Sequence, residues 1–331
     1  MSDNLILVTG ASGFLGHQTC EALLAGGATV RGLVRSGDGP AGIEQVRCDD
    51  LLDRPVMRRA VEGVGAIVHL AARVHVMSDE AADPLAEYRR TNVEGARVLM
   101  EEAQAAGVRR LILVSTVKAV AEESDTPLNE ATPPRPSDPY GISKLEAERM
   151  VLELASSGTT TASVLRLPLV YGPGMKANML RLFDAVDRGF PLPLGGVRNR
   201  RSVVFTGNVV TAIERLLATP AAAGEVFFVR DPADVSTPDL IRAIALALGR
   251  PARLLPVPAP LFRAAGAFGD FLAPWVKVPM SSAAVARLFG SLTVDAAKLA
   301  RVTGFEASYS LAAGLRITAE WYRRRGAEEL A

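Results

Sequence analysis

Tyr140 and Lys144 stand four residues apart directly after Ser137-Asp138-Pro139, a helix-start pattern, and that spacing puts both on one helix face. A free phenol has a pKa near ~10 and is a poor base at neutral pH. An ammonium beside it stabilises the phenolate and brings that value toward working pH. The pair can therefore carry a proton to and from an alcohol or carbonyl oxygen. The same spacing arises by chance on many helices, so it needs company. An apolar run over 111–114 supplies it by ending in Ser115-Thr116, two hydroxyls able to hydrogen-bond a reacting oxygen. A Ser-Thr pair can also do no more than cap a strand.

A second group suits a dinucleotide. Thr9-Gly10-Ala11-Ser12-Gly13-Phe14-Leu15-Gly16 closes the first apolar run and opens a helical pattern. Gly10 permits a tight turn, Gly13 lets backbone approach a pyrophosphate, and Gly16 lets the helix pack on the strand. The start of that helix offers unpaired N–H groups to phosphate. Glycines alone could be a turn and a cap; their place between strand and helix is what points to a nucleotide. An acid about 20 residues on would hold the ribose of NAD. This chain instead has Arg35 at the end of its second strand, with Arg31 near it and no acid between Thr29 and Asp38. A guanidinium fork matches a 2′-phosphate, so NADP(H) is favoured over NAD(H). Two surface arginines at a strand end are the plainer alternative.

These residues need a scaffold. Short apolar runs at 5–8, 29–34, 44–48, 66–70, 110–114 and 161–167 alternate with helical patterns near 14–26, 53–62, 84–106 and 138–156. Such alternation predicts an α/β fold, a doubly wound parallel sheet of the Rossmann type with ligands at the strands' carboxyl ends. Beyond residue 170 the pattern loosens. Helices are expected near 177–188, 207–218, 236–248, 259–272, 281–289 and 309–325, with short strands at 202–205, 225–229 and 253–257. The expected division is a dinucleotide-binding domain over 1–170 and a smaller, mostly helical C-terminal substrate lobe over 171–331, with segments near 202–230 returning to the first.

Composition narrows the classes. Over 331 residues, 37 Lys and Arg against 36 Asp and Glu leave a net charge of +1, so no global field selects nucleic acid. Two cysteines, Cys20 and Cys48, and three histidines argue against a disulfide-stapled scaffold and against a metal centre. No apolar run reaches the roughly 18 residues of a membrane span. The stretch 254–278 comes nearest, broken by Arg263, Asp270 and four prolines. A cytoplasmic enzyme without nucleic-acid, membrane or metal partners is expected.

The chain resembles the extended short-chain dehydrogenases/reductases, of the NAD-dependent epimerase/dehydratase type that acts on nucleotide sugars. The residues that carry the resemblance run in family order over nearly the whole chain. They are Thr9-Gly10-x-x-Gly13-x-x-Gly16, Asp50-Leu51, His69-Leu70-Ala71-Ala72, Thr91-Asn92-Val93-x-Gly95, Ser115-Thr116, Pro139-Tyr140-Gly141-x-Ser143-Lys144, and Arg166 to Val170-Tyr171-Gly172-Pro173. Weaker matches lie around Arg201 and over 292–321. The resemblance implies Tyr140 as acid/base, Lys144 as its pKa-lowering partner and nicotinamide-ribose ligand, and Thr116 rather than Ser115 as the hydroxyl. It implies Asp50 and Leu51 at adenine, and Leu70, Ala71 and Ala72 along the cofactor. Asn92 would be structural or orient the lysine. Asn178 and Arg201 would hold a substrate pyrophosphate. A homodimer through the helices near 84–106 and 138–156 is implied as well.

Departures from the family pattern bear on the chemistry. Val117-Lys118 stands where the dehydratases carry Asp-Glu, which argues against dehydration. Leu169 replaces an Asn before Val170-Tyr171. Arg31 and Arg35 suit an exchangeable phosphorylated cofactor better than a retained NAD. The expectation is hydride transfer at C4 of a UDP-type sugar, with ketoreduction ahead of epimerisation on retained NAD. A reductase of flavonoid- or steroid-like ketones is a further alternative, against which Arg198, Arg200 and Arg201 speak. A silent NADP-binding scaffold is the non-enzymatic one. Arg73 and Lys118 are candidate substrate contacts, Arg73 and His75 could touch cofactor or substrate, and each is also readable as solvent-facing. His69 reads as a satisfied buried histidine, and 262–275 as a core helix rather than a membrane or dimer face.

Overall fold

The computed structural model describes residues 4–74, 83–272 and 282–328. Its strands are β1 (Leu5–Thr9), β2 (Thr29–Val34), β3 (Glu44–Arg47), β4 (Ala66–His69), β5 (Arg110–Thr116), β6 (Thr161–Leu167), β7 (Leu169–Tyr171), β8 (Val203–Phe205) and β9 (Val226–Phe228). Seven of them form one parallel sheet in the order β3-β2-β1-β4-β5-β6-β9, while β7 and β8 pair with each other. This is the doubly wound Rossmann arrangement, which gathers every strand's carboxyl end along one edge. Register decides what stands there. Thr9 pairs with His69, and His69 with Leu113, so β5 runs on past its neighbour and carries Val114, Ser115 and Thr116 beyond that edge.

Helices α1 (Phe14–Ala25), α2 (Arg54–Val61), α3 (Pro84–Arg89), α4 (Gly95–Ala105), α5 (Pro139–Ser157) and α6 (Ala177–Asp187) are followed by α7 (Thr206–Ala218), α8 (Thr237–Leu248), α9 (Ala259–Leu272), α10 (Ser282–Phe289), α11 (Ala297–Thr303) and α12 (Leu311–Glu328). Successive strand residues face opposite ways, which splits the core in two. Leu111 and Leu113 join Met57, Leu99 and Val151 of α2, α4 and α5 on one face. Ile112 and Val114 join Cys20, Ile213 and Leu299 of α1, α7 and α11 on the other. A third cluster, with Phe183, Ile241 and Leu315, joins α6, α8 and α12 to Tyr171 and Phe205 of the small β7–β8 pair.

Several expectations change. The helix expected near 84–106 is two helices joined by a π-helical turn over Arg90–Glu94, closed by the Gly95 amide on the Arg90 carbonyl. The strand expected at 253–257 is reduced to an isolated bridge between Leu192 and Leu254. Helix α11 was not expected, and the segment near 309–325 extends as α12 to Glu328. The expectations for His75 and for the end of 262–275 lie outside the described residues. Among the described residues no helix is long and apolar enough to cross a membrane.

Candidate active site

The loop after β1 is shaped by close approach. Gly10 has φ +71°, and a Cβ there would lie 3.1 Å from the Ala71 backbone. A Cβ on Gly16 would lie 2.0 Å from the Gly10 carbonyl oxygen, so only glycine lets α1 start this near the strand. The Gly10 amide donates to Leu33 O and the Gly13 amide to Gly10 O, both at 2.9 Å. Gly13 caps α1 without a side chain, leaving the amides of Phe14, Leu15 and Gly16 for an anion. Ser12 donates its hydroxyl to Ser36 O, just past the end of β2. These residues fit a pyrophosphate: a bare helix start with no Cβ in the approach.

Thr9 fixes the neighbouring strand. Its Oγ1 accepts the Leu70 and Ala71 amides, so its own proton goes to His69 Nδ1 at 2.7 Å. Burial, reinforced by the Lys144 charge, pushes the His69 imidazole down to about 3 and keeps it neutral. This small network sets the backbone of Leu70, Ala71 and Ala72 beside the glycine loop.

The adenosine end differs in part from expectation. Arg35 is exposed at the end of β2. Arg31 is not available to a phosphate: it pairs with Glu44 at 3.0 Å and donates to the carbonyls of Ala60 and Glu62 at the end of α2. Its alternation on β2 turns it to the sheet face that α2 covers rather than past the sheet's edge. Asp50 accepts the Leu52 amide and an Arg90 guanidinium N–H, which together hold its carboxyl below the usual range. Leu51 lies half-buried against the α2–α4 core.

Asp138 starts α5 by accepting the Gly141 amide at 2.6 Å. Tyr140 and Lys144 then share a face. Burial pushes the Tyr140 phenol well above its ordinary value, Asp138 adds to this, and a hydrogen bond with Thr116 pulls the other way. Lys144 is buried and donates from Nζ to Val114 O at 2.8 Å. Desolvation pushes its ammonium down to about 8, against the pull of Glu148. Ser115 and Thr116 part here: Ser115 donates to buried Glu148, while Thr116 meets the phenol. Asn92, in the π turn, accepts the Arg73 amide at 2.8 Å and donates to Ser143 Oγ at 2.9 Å. It therefore ties the segment that follows β4 to the helix carrying Tyr140.

Two partners escaped sequence reasoning. Tyr88 of α3 lies 6.0 Å from the Tyr140 ring, donates to Val74 O, and carries the Arg73 guanidinium 5.3 Å above it. Its only sequence signal was an apolar helix position. Asp138 was visible as a cap but not as the partner of Lys118, whose Nζ it meets at 2.6 Å. Asn178 is exposed in the first turn of α6. Arg201 bridges Val235 and donates to Gly290 O, and burial lowers its pKa. Both belong to the smaller lobe. Tyr171 is fully buried and donates to Asp231, so it is part of the frame.

The sequence pattern of the NAD dependent epimerase/dehydratase family matches residues 6–229. The chain belongs to that family. It is a family enzyme, 34% identical over 324 residues to UDP-glucose 4-epimerase of Vibrio cholerae, covering 95% of this chain and 94% of that one. It is 27% identical to N-acetyl-alpha-D-glucosaminyl-diphospho-ditrans,octacis-undecaprenol 4-epimerase of Escherichia coli O157:H7, covering 97% and 96%. Among solved structures, MoeE5 in complex with UDP-glucuronic acid and NAD superposes with a TM-score of 0.78 at 27% identity, over 97% of this chain and 99% of that one.

Proposed function

We propose that this epimerase/dehydratase-family enzyme is a 4-epimerase of diphosphate-linked sugars, of the UDP-sugar type, working on a retained nicotinamide dinucleotide. One observation carries the reading: Thr116, Tyr140 and Lys144 gather at the carboxyl end of β5 in a chain this similar to UDP-glucose 4-epimerase. The dinucleotide, when bound, supplies reversible hydride exchange at a sugar carbon. The side chains move the proton. As phenolate, Tyr140 takes the proton of the C4 hydroxyl while hydride leaves C4, and returns that proton to the keto oxygen when hydride comes back to C4 on the other face. Thr116 orients that oxygen, and the Lys144 ammonium offsets the phenolate charge. Gly10, Gly13 and the first amides of α1 hold the pyrophosphate. Arg73, Lys118, Asn178 and Arg201 remain the proposed substrate side, and α3–α5 the proposed homodimer face. The cytoplasm is the compartment this reading implies.

A 4-ketoreductase using NADP(H) is the second reading, favoured by Arg35, exposed where a 2′-phosphate would lie. The relatives shift the weight to epimerisation, since two of them are 4-epimerases and MoeE5 holds NAD. The purified chain decides between them. Denaturation should release NAD, and UDP-glucose or its N-acetylamino counterpart should convert to the C4 epimer without added cofactor. Stoichiometric consumption of NADPH by a 4-keto sugar, with no epimerisation, overturns the first reading in favour of the second.

A further inference from the structure

The face of α5 that carries Tyr140 and Lys144 continues to Glu148, one turn on and 2% exposed. A buried carboxylate is costly unless donors meet it, and two strands supply them. Ser115 of β5 donates its hydroxyl to Oε1. Arg166 of β6 closes a fork, Nη2 to Oε2 at 2.7 Å and Nε to both oxygens at 3.2 Å. Arg166 is itself buried, its guanidinium 5.4 Å from the Phe228 ring centroid. Lys144 donates to the carbonyl of Val114, the residue just before Ser115. A buried ion pair of this kind is often no more stabilising than apolar side chains of equal volume. Stability alone therefore does not account for three charged side chains directly beneath a reacting phenol.

Resting on the reading of Tyr140 and Lys144 as acid and partner, we propose that Glu148, clamped by Ser115 and Arg166, is a positioning residue that keeps the Lys144 ammonium charged and aimed at the carboxyl end of β5. The groups facing Lys144 are Tyr140 and Glu148 from its own helix, neutral His69 from β4, and the Val114 carbonyl from β5; the Ser115 hydroxyl of β5 and Arg166 of β6 reach it through Glu148. Burial drives the ammonium toward its neutral form, and the Glu148 charge opposes that.

The test follows the alkaline limb of two profiles, turnover and, on chain first stripped of its retained dinucleotide, NADH binding by fluorescence titration. Glu148→Gln keeps the shape but removes the charge, leaving Arg166 as a second cation; the limb should fall by about one pH unit, a tenfold loss at a fixed pH above it. Arg166→Gln leaves the Glu148 charge to Lys144 alone, and the limb should rise. Each single variant strands a buried charge, so Glu148→Gln/Arg166→Gln is the variant without one, and its limb should also fall. Opposed shifts in the single variants, or a fall in the double variant, uphold the proposal. A limb unmoved in every variant that folds, with only the melting temperature lowered, overturns it. A wild-type chain that neither carries a retained dinucleotide nor binds NADH overturns the redox reading itself and this inference with it.

Discussion

At the scale of single residues, Tyr140 stands in the free chain as a neutral acid, because burial and Asp138 outweigh its hydrogen bond with Thr116. Replacing it by Phe keeps the ring against Tyr88 and removes the proton. Turnover should fall by about 10²- to 10⁴-fold, with NADH affinity retained in a fluorescence titration; undiminished turnover would take Tyr140 out of the reaction. His69 makes a claim about pH. Its pKa is lowered from 6.5 to about 3, so its contribution is complete above 6.5, where the unfolded imidazole is also neutral. That contribution drains away as pH falls toward 3, by about 1.4 kcal/mol per unit. His69→Gln can still accept from Thr9 but cannot titrate, so its melting temperature should drop less steeply than that of the wild type between pH 6.5 and 5. Parallel slopes would exclude His69 as the source. Both residues were legible early, Tyr140 from its spacing to Lys144 and His69 from its place at a strand end. The Ser115–Glu148–Arg166 group was not, because its members meet only through the β5–β6 register and one face of α5.

Elements were legible wherever one physical pattern dominated. Apolar β-branched runs between Gly and Asp marked the parallel strands, and Asp53, Asp138 and Ser236 mark helix starts through side chains that accept an amide in the first turn. The π turn at Arg90–Glu94 left no such trace. One added residue slips the helical repeat by a single position, too little to stand out over runs this short, yet it is this turn that faces Asn92 to Arg73 and Ser143. Arg31 was misread for a related reason: sequence shows that it is near a strand end, not which way it points. The glycine turn is the element whose demands are strictest. In Gly16→Ala the new methyl meets the Gly10 carbonyl at 2.0 Å, backbone against backbone, so α1 must move outward as a body. Stability should fall by about 1–3 kcal/mol, and dinucleotide affinity by at least about tenfold because the phosphate-facing amides move with the helix. Chemical denaturation and NADH titration measure the two; an unchanged affinity would show that the first turn of α1 does not hold the pyrophosphate.

At the scale of the molecule, the chain does not keep its halves apart. Strand β9 extends the main sheet beside β6, and α7 and α11 cover one face of it with Val209, Ile213, Leu216 and Leu299. A buried joint reinforces the link: Asp231 accepts from Tyr171 Oη at 2.7 Å, from Asn208 Nδ2 at 2.7 Å and from the Phe205 amide at 2.9 Å, while Asn208 also donates to Tyr309 O. Three donors offset the cost of burying that carboxylate only when β7, β8 and α7 are all in place. Helix α7 and strand β9 both fall in the 202–230 segments expected to return to the first domain. Cutting the chain after Val170 would strip β9 from the edge of β6 and uncover Ile112, Val114, Leu165 and Leu167 on a sheet face that α1 alone cannot cover. Each large apolar side chain so exposed forfeits about 1.5–3 kcal/mol, and a few of them exceed the whole stability of an ordinary domain. The fragment is expected to show no cooperative thermal transition by circular dichroism and no saturable NADH binding. A fragment that melted cooperatively and bound NADH would show that α7, α11 and β9 are additions to a self-sufficient nucleotide domain, and that the Asp231 joint serves the smaller lobe alone.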